Sequence, residues 1–138
     1  MPETDRALDE VARVLAPGGR MYLQVPVLQG ATAPPTEPEF HGDDTPVFWR
    51  FGPDLTARLR DHGFETTLLC TADWRRRVAA GDQEWGAGTS REFDVSSLLA
   101  GSVADDLESV ADDATAARLG FLPSYMFLTW EARKAPSG

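Results

Sequence analysis

The residues best equipped for chemistry lie in one stretch, Leu28 to Arg50, where Glu37, Glu39, His41, Asp43 and Asp44 sit among four prolines and two glycines. His41 carries a side chain that titrates near neutrality, so it could take a proton from a hydroxyl or an amine as a general base. It could equally be a surface residue bonded to Asp43 or Asp44, because a base needs a substrate proton held in front of it. Trp49 and Arg50 close the stretch. They could frame a bound molecule by stacking and charge, or fasten the loop to the body through apolar burial and a carboxylate pair.

Other candidates carry less. Cys70 is the single cysteine, which rules out an intramolecular disulfide and a paired-Cys metal site, and its place after Leu68-Leu69 suits a small buried hydrophobe. Gly86-Ala87-Gly88 follows no clear strand and opens no apolar-periodic helix, so it makes a poor phosphate cradle. Asp105, Asp106, Glu108, Asp112 and Asp113 have the spacing of a solvated helix face, and Arg75-Arg76-Arg77 reads as surface.

Composition bounds the rest. A chain of 138 residues with 42% hydrophobic content suits a single compact domain. A formal charge of -9 argues against a nucleic-acid surface, which needs clustered Lys and Arg to displace counterions. Neither a basic leader followed by an apolar run nor a stretch long enough to span a bilayer is present, so a cytoplasmic location is the expectation.

The loop must be positioned by elements on either side of it. Leu8, Val11 and Leu15 recur at helical spacing, and predict a helix from Pro2 to Leu15 with Thr4 as N-cap. Pro17-Gly18-Gly19 stops that helix, and Met21, Leu23 and Val25 alternate with Tyr22 and Gln24 in a strand from Arg20 to Val27. The proline density of 28–50 predicts a long irregular loop, brought back to the body by burial of Phe48, Trp49 and Phe51. Pro53 then starts a second helix with Leu55 and Leu59 inward, ended by His62-Gly63, and Phe64 to Cys70 follows as a strand. Residues 71–120 read as a variable insertion, with a short helix over Trp74 to Ala80, a loop from Gly81 to Ser90 and an acidic amphipathic helix along Val103, Leu107, Val110 and Leu119. Tyr125 to Lys134 is the last strand, with Met126, Leu128, Trp130 and Ala132 on one face.

Three of these units carry a family resemblance. Glu10-Val11-Ala12-Arg13-Val14-Leu15-Ala16-Pro17-Gly18-Gly19 resembles the helix, turn and fifth strand of class I S-adenosylmethionine-dependent methyltransferases. The run Phe51-Gly52-Pro53-Asp54-Leu55 through Gly63-Phe64-Glu65 is similar to the helix and Gly-Phe step leading to that family's sixth strand. Leu119-Gly120-Phe121-Leu122-Pro123 and the aromatic strand after it look like its last element. The resemblance implies an α/β, partial Rossmann-like fold: a small mixed sheet of the family's fifth, seventh and sixth strands, first beside last and last beside second, with flanking helices.

It also implies a function. In that family the loop after the fifth strand borders the acceptor pocket, which would place Glu39, Trp49 and Arg50 at the substrate and His41 as base. The cofactor lies on the earlier strands, and this chain contains no strand followed by Gly-x-Gly opening a helix. S-adenosylmethionine is therefore implied by resemblance alone, with no binding residues to assign. Two functions are expected: methyl transfer to a small molecule if the missing half is supplied, or a non-catalytic binding or dimerisation module. In the complete fold Met21 to Val25 would have another strand beside it. Its bare edge predicts a homodimer or a complementing chain.

Overall fold

The structure is a computed structural model that describes residues 3–26, 31–71, 107–110, 113–120 and 127–137. It is mixed α/β. In chain order come α1 (Thr4–Val14), β1 (Arg20–Pro26), α2 (Leu55–Asp61), β2 (Phe64–Thr71), β3 (Leu107–Val110), α3 (Asp113–Leu119) and β4 (Phe127–Lys134). The four strands form one sheet in the order β1-β4-β2-β3. The last strand is antiparallel to both β1 and β2, with Leu23 opposite Trp130 on one side and Leu68 opposite Trp130 on the other. β3 lies parallel to β2 at the far edge.

Period two along the strands separates two faces. On one, Trp130, Ala132, Phe64 and Leu68 are buried with Leu8 of α1 and Leu55 and Leu59 of α2, and Met21, Leu23 and Val25 pack against them. Trp130 is fully buried, and its indole N–H donates to the Thr56 hydroxyl at 2.9 Å, tying the sheet to α2. The other face is more polar: Tyr22 donates to Glu131 at 2.9 Å and Gln24 to Thr129 at 2.7 Å, while Leu69 packs with Ala116 of α3.

The Pro-Gly-Gly turn works differently from the helix cap expected of it. Leu15 is already extended, at ψ 132°, and Gly19 N donates to Ala16 O at 2.8 Å around Pro17 and Gly18. Gly18 takes φ +73°, the value that favours glycine at the third position of a type II turn. Gly18 N then donates to Lys134 O, and Lys134 N donates to Gly19 O, each at 3.0 Å. Two residues thus face one, a glycine bulge at the mouth of the β1–β4 ladder. A Cβ on Gly19 would lie 2.8 Å from Ala16 O, so the second glycine is needed for close approach and the first for conformation.

Further expectations are corrected. Glu3, not Thr4, precedes α1, and Thr4 is buried in its first turn. Pro53 and Asp54 form a turn ahead of α2, which begins at Leu55, whereas Gly63 at φ +85° is the expected end of that unit. Phe51 packs against the core, but Phe48 is 43% exposed, so the three aromatics do not go inward together. Among the described residues of the expected acidic helix, Leu107–Val110 is a strand and Asp113–Leu119 is helical. The spacing of three between Leu107 and Val110 suits a helix and places the two positions on opposite faces of a strand, so it is the parallel pairing beside β2 that marks this segment as a strand. Val103, Asp105, Asp106, Asp112, Arg75–Arg77, the helix over 74–80 and Gly86–Gly88 lie outside the described residues. For Cys70 only its place in β2 is described.

Candidate cavity beside the end of the first strand

The loop after β1 is more ordered than its proline content predicts. Ala33 and Arg50 exchange backbone hydrogen bonds at 3.0 and 2.9 Å, closing its base. Inside that closure Glu39 to Val47 folds as a small hairpin, with Val47 N donating to Glu39 O and His41 N to Thr45 O, both at 2.9 Å. Asp44 turns the tip at φ +61°, and the Asp43 carboxylate accepts from Thr45 N at 3.1 Å. The hydrogen bond from the Thr45 side chain first, and this backbone bond second, hold the Asp43 carboxyl below its usual range. Prolines are compatible with all this because Pro46 sits at an isolated bridge with Phe40, outside any long ladder.

A second latch joins the loop to α2. Thr32 donates through its backbone N and its hydroxyl to Asp54 Oδ1, at 2.9 and 2.7 Å, and accepts from Gly52 N at 3.0 Å. Gly52 backs onto Ala31 so closely that a Cβ would meet its Cα at 2.7 Å. No functional role is assigned to Asp54 from the sequence alone. The available signal was a helix-start Asp whose carboxylate, in the fold, caps a neighbouring loop in place of its own helix.

These contacts bring Glu39, His41, Trp49 and Arg50 to one cavity of about 230 Å³, together with Val25 and Pro26 at the end of β1 and Pro46, Val47, Phe48 and Phe51. Arg50 Nε donates to Glu39 Oε2 at 2.8 Å, both side chains being about one-third exposed. The pair also borders a cavity of about 380 Å³ lined by Ala33 to Glu39, so it forms the wall between the two. Trp49 is half-buried, with the Arg58 guanidinium 5.7 Å from its ring centre. His41 is exposed at the rim. Chemically the smaller cavity offers an apolar, aromatic lining with one neutralised ion pair, which suits a small planar molecule. The lining residues that sequence reasoning did not assign are apolar. Only the aromatic cluster at 48–51 signalled them, and it was taken for an anchor.

A separate charged cluster joins α1 and α2. His62 Nδ1 lies 2.7 Å from Asp9 Oδ1, its Nε2 lies 3.2 Å from Asp5 Oδ1, and Arg58 Nε lies 3.4 Å from Asp5. Burial pulls the His62 pKa down, but the two carboxylates outweigh it and the net direction is up. Among the described residues no group of His, Cys, Asp and Glu has the geometry to hold a metal, and no helix is long and apolar enough to cross a membrane.

Comparison with known proteins returns no family model, no curated protein and no solved structure that matches this chain.

Proposed function

We propose that this chain is the acceptor-binding portion of a class I methyltransferase-like protein, transferring a methyl group from S-adenosylmethionine to a small molecule when the cofactor-binding half is supplied. The single observation that supports this reading most is the cavity, where Glu39, His41, Trp49 and Arg50 meet at the end of β1, the place the resemblance implies for the acceptor. The antiparallel order β1-β4-β2 agrees with the Rossmann-like reading, whereas β3 beside β2 has no counterpart in the order expected.

The described residues at the cavity do not form a cradle for the cofactor. Gly42 lies in the exposed hairpin tip, and Gly52 is pressed against Ala31. Glu39, the cavity's one carboxylate able to accept from ribose hydroxyls, accepts instead from Arg50. The contribution of this chain is then to bind and orient the acceptor, with the aromatic lining excluding water and His41 taking a proton at the rim.

The alternative, a non-catalytic binding or dimerisation module, is favoured by the exposure of His41 and by the Glu39–Arg50 pair satisfying both charges internally. In either case β1 is the edge strand: among the described residues only β4 pairs with it. Assembly through that edge, as a homodimer or with a complementing chain, belongs to the same proposal, as does a cytoplasmic setting that keeps Cys70 reduced. Calorimetric titration with S-adenosylhomocysteine separates a self-sufficient methyltransferase from both of these readings. Binding tighter than about 100 μM, roughly -5.5 kcal/mol, supports a self-sufficient methyltransferase. An absence of heat rules out autonomous catalysis.

A further inference from the structure

The hairpin at residues 38–48 has its sides reversed for an element that folds by burying apolar surface. Glu39 and Val47 are half-buried, whereas Pro38, Phe40, Pro46 and Phe48 are exposed, Phe40 at 59% and Phe48 at 43%, with Pro46 and Phe48 also bordering the smaller cavity and Pro38 the larger. The bridge between Phe40 and Pro46 explains the grouping, because period two then sets Pro38 and Phe48 beside them on the outward side. Scattered apolar residues on a surface need no explanation, but two rings and two prolines on one side of a braced hairpin do.

The rings are held by an ordered backbone. The Ala33–Arg50 pair closes the loop, Val47 and His41 bond across the hairpin, Asp43 secures its tip and Arg50 holds Glu39. Much of the conformational cost of presenting an aromatic anchor is therefore already met by the fold. Exposed carboxylates stand beside these residues in the chain, Glu37 before Pro38 and Asp43 and Asp44 at the hairpin tip, while Glu39 is matched by Arg50. The patch is thus apolar with an acidic rim.

We propose that Pro38, Phe40, Pro46 and Phe48 dock a cationic segment of a partner protein, with an apolar side chain against the two rings and Lys or Arg reaching Glu37, Asp43 and Asp44. Charge selects this occupant. Nucleic acid and anionic membranes are repelled by the rim and by the net charge of -9. A second copy would bring the same three carboxylates against one another. Lys and Arg gain from the rings as well as from the rim, because a cation over an aromatic face is attracted by its quadrupole. The surface adjoins the proposed acceptor cavity, since Pro46 and Phe48 border both while Phe40 lies outside it, but a docked peptide needs no methyl transfer.

Fluorescence anisotropy of a labelled peptide of alternating Leu and Lys tests the proposal, beside one with Glu in place of Lys and one with Ser in place of Leu. Only the Leu-Lys peptide is expected to bind, more weakly as salt is raised. The double variant Phe40→Ser, Phe48→Ser should weaken it by about tenfold or more, and Phe40→Ser alone, at the more exposed ring outside the cavity, should weaken it with the melting temperature held. The triple variant Glu37→Gln, Asp43→Asn, Asp44→Asn keeps the rings and should also weaken it. The proposal is overturned by an absence of binding, by equal binding of either control peptide, or by undiminished binding to either variant. Capture on phosphatidylserine vesicles in place of the peptide overturns it too.

Discussion

Lys134 Nζ donates to the carbonyl oxygen of Ala12 at 2.6 Å, so the end of the last strand holds the end of the first helix. The same ammonium reaches Leu15 O at 2.8 Å, while the Lys134 backbone closes the glycine bulge. Orphan carbonyls at a helix C-terminus are stabilised by a nearby cation. Lys134→Met, which keeps the stem and removes the charge, should cost about 1 to 3 kcal/mol, the range for hydrogen bonds to a charged donor. Urea denaturation reads this directly, and an unchanged midpoint would show the contact to be idle.

At the other side of the bulge, Gly18→Ala should cost about 1 to 2 kcal/mol, because the native φ of +73° is strained for a residue with a Cβ. Open space around Gly18 means that no steric clash adds to it. Gly19→Ala should cost more, since its Cβ would press on Ala16 O and Leu15. Thermal melts of the pair should rank them in that order; the reverse order would count against the assigned turn.

His62 makes stability depend on pH. Its folded pKa is raised, so the contribution of its pairs with Asp5 and Asp9 is fully present below the unfolded value of about 6.5 and is lost as pH rises through the folded value. Urea midpoints followed upward from mildly acid pH should fall for the native chain and flatten for His62→Gln. Equal slopes in the two proteins would remove His62 as the cause.

Trp49 separates anchoring from ligand contact. It is half-buried and stacked under Arg58, so Trp49→Ala should cost about 1 to 2 kcal/mol, less than the roughly 3–5 of a fully buried aromatic. A loss in the higher range, measured by chemical denaturation, would make the residue a core anchor and weaken its assignment to the cavity wall.

Assembly through β1 has a simple readout. The alternation that starts at the Gly19–Lys134 bond turns the backbone groups of Tyr22 and Pro26 to the outer side, and Pro26 has no N–H to offer there. Sedimentation equilibrium at micromolar concentration should show twice the monomer mass, and Tyr22→Pro, which removes an outward donor, should return it to one. A single monomeric species for the native chain would end the dimer proposal.

Local patterns carried much of this architecture. The apolar positions of α1, the period-two faces of β1 and β4, and the φ-demanding Gly63 all follow from spacing and from the chemistry of single residues, and the antiparallel placement of the last strand agrees with the expectation. Glu39, His41, Trp49 and Arg50 could be named as candidates because polar and aromatic groups gather in a proline-rich loop.

What spacing could not reveal are relations between distant segments. Leu107–Val110 pairs as a strand beside β2, a relation that its apolar spacing of three, which suits a helix, does not reveal. Asp54 caps Thr32 across 22 positions, and Lys134 caps a helix that begins at Thr4. Phe40 stayed exposed and Phe48 only borders the cavity, because the Phe40–Pro46 bridge groups the alternate residues of the hairpin on the side away from the core. Composition dictates that an aromatic seeks burial; only the three-dimensional closure of the loop decides which aromatic finds it, because each burial site is made by residues far away in the chain.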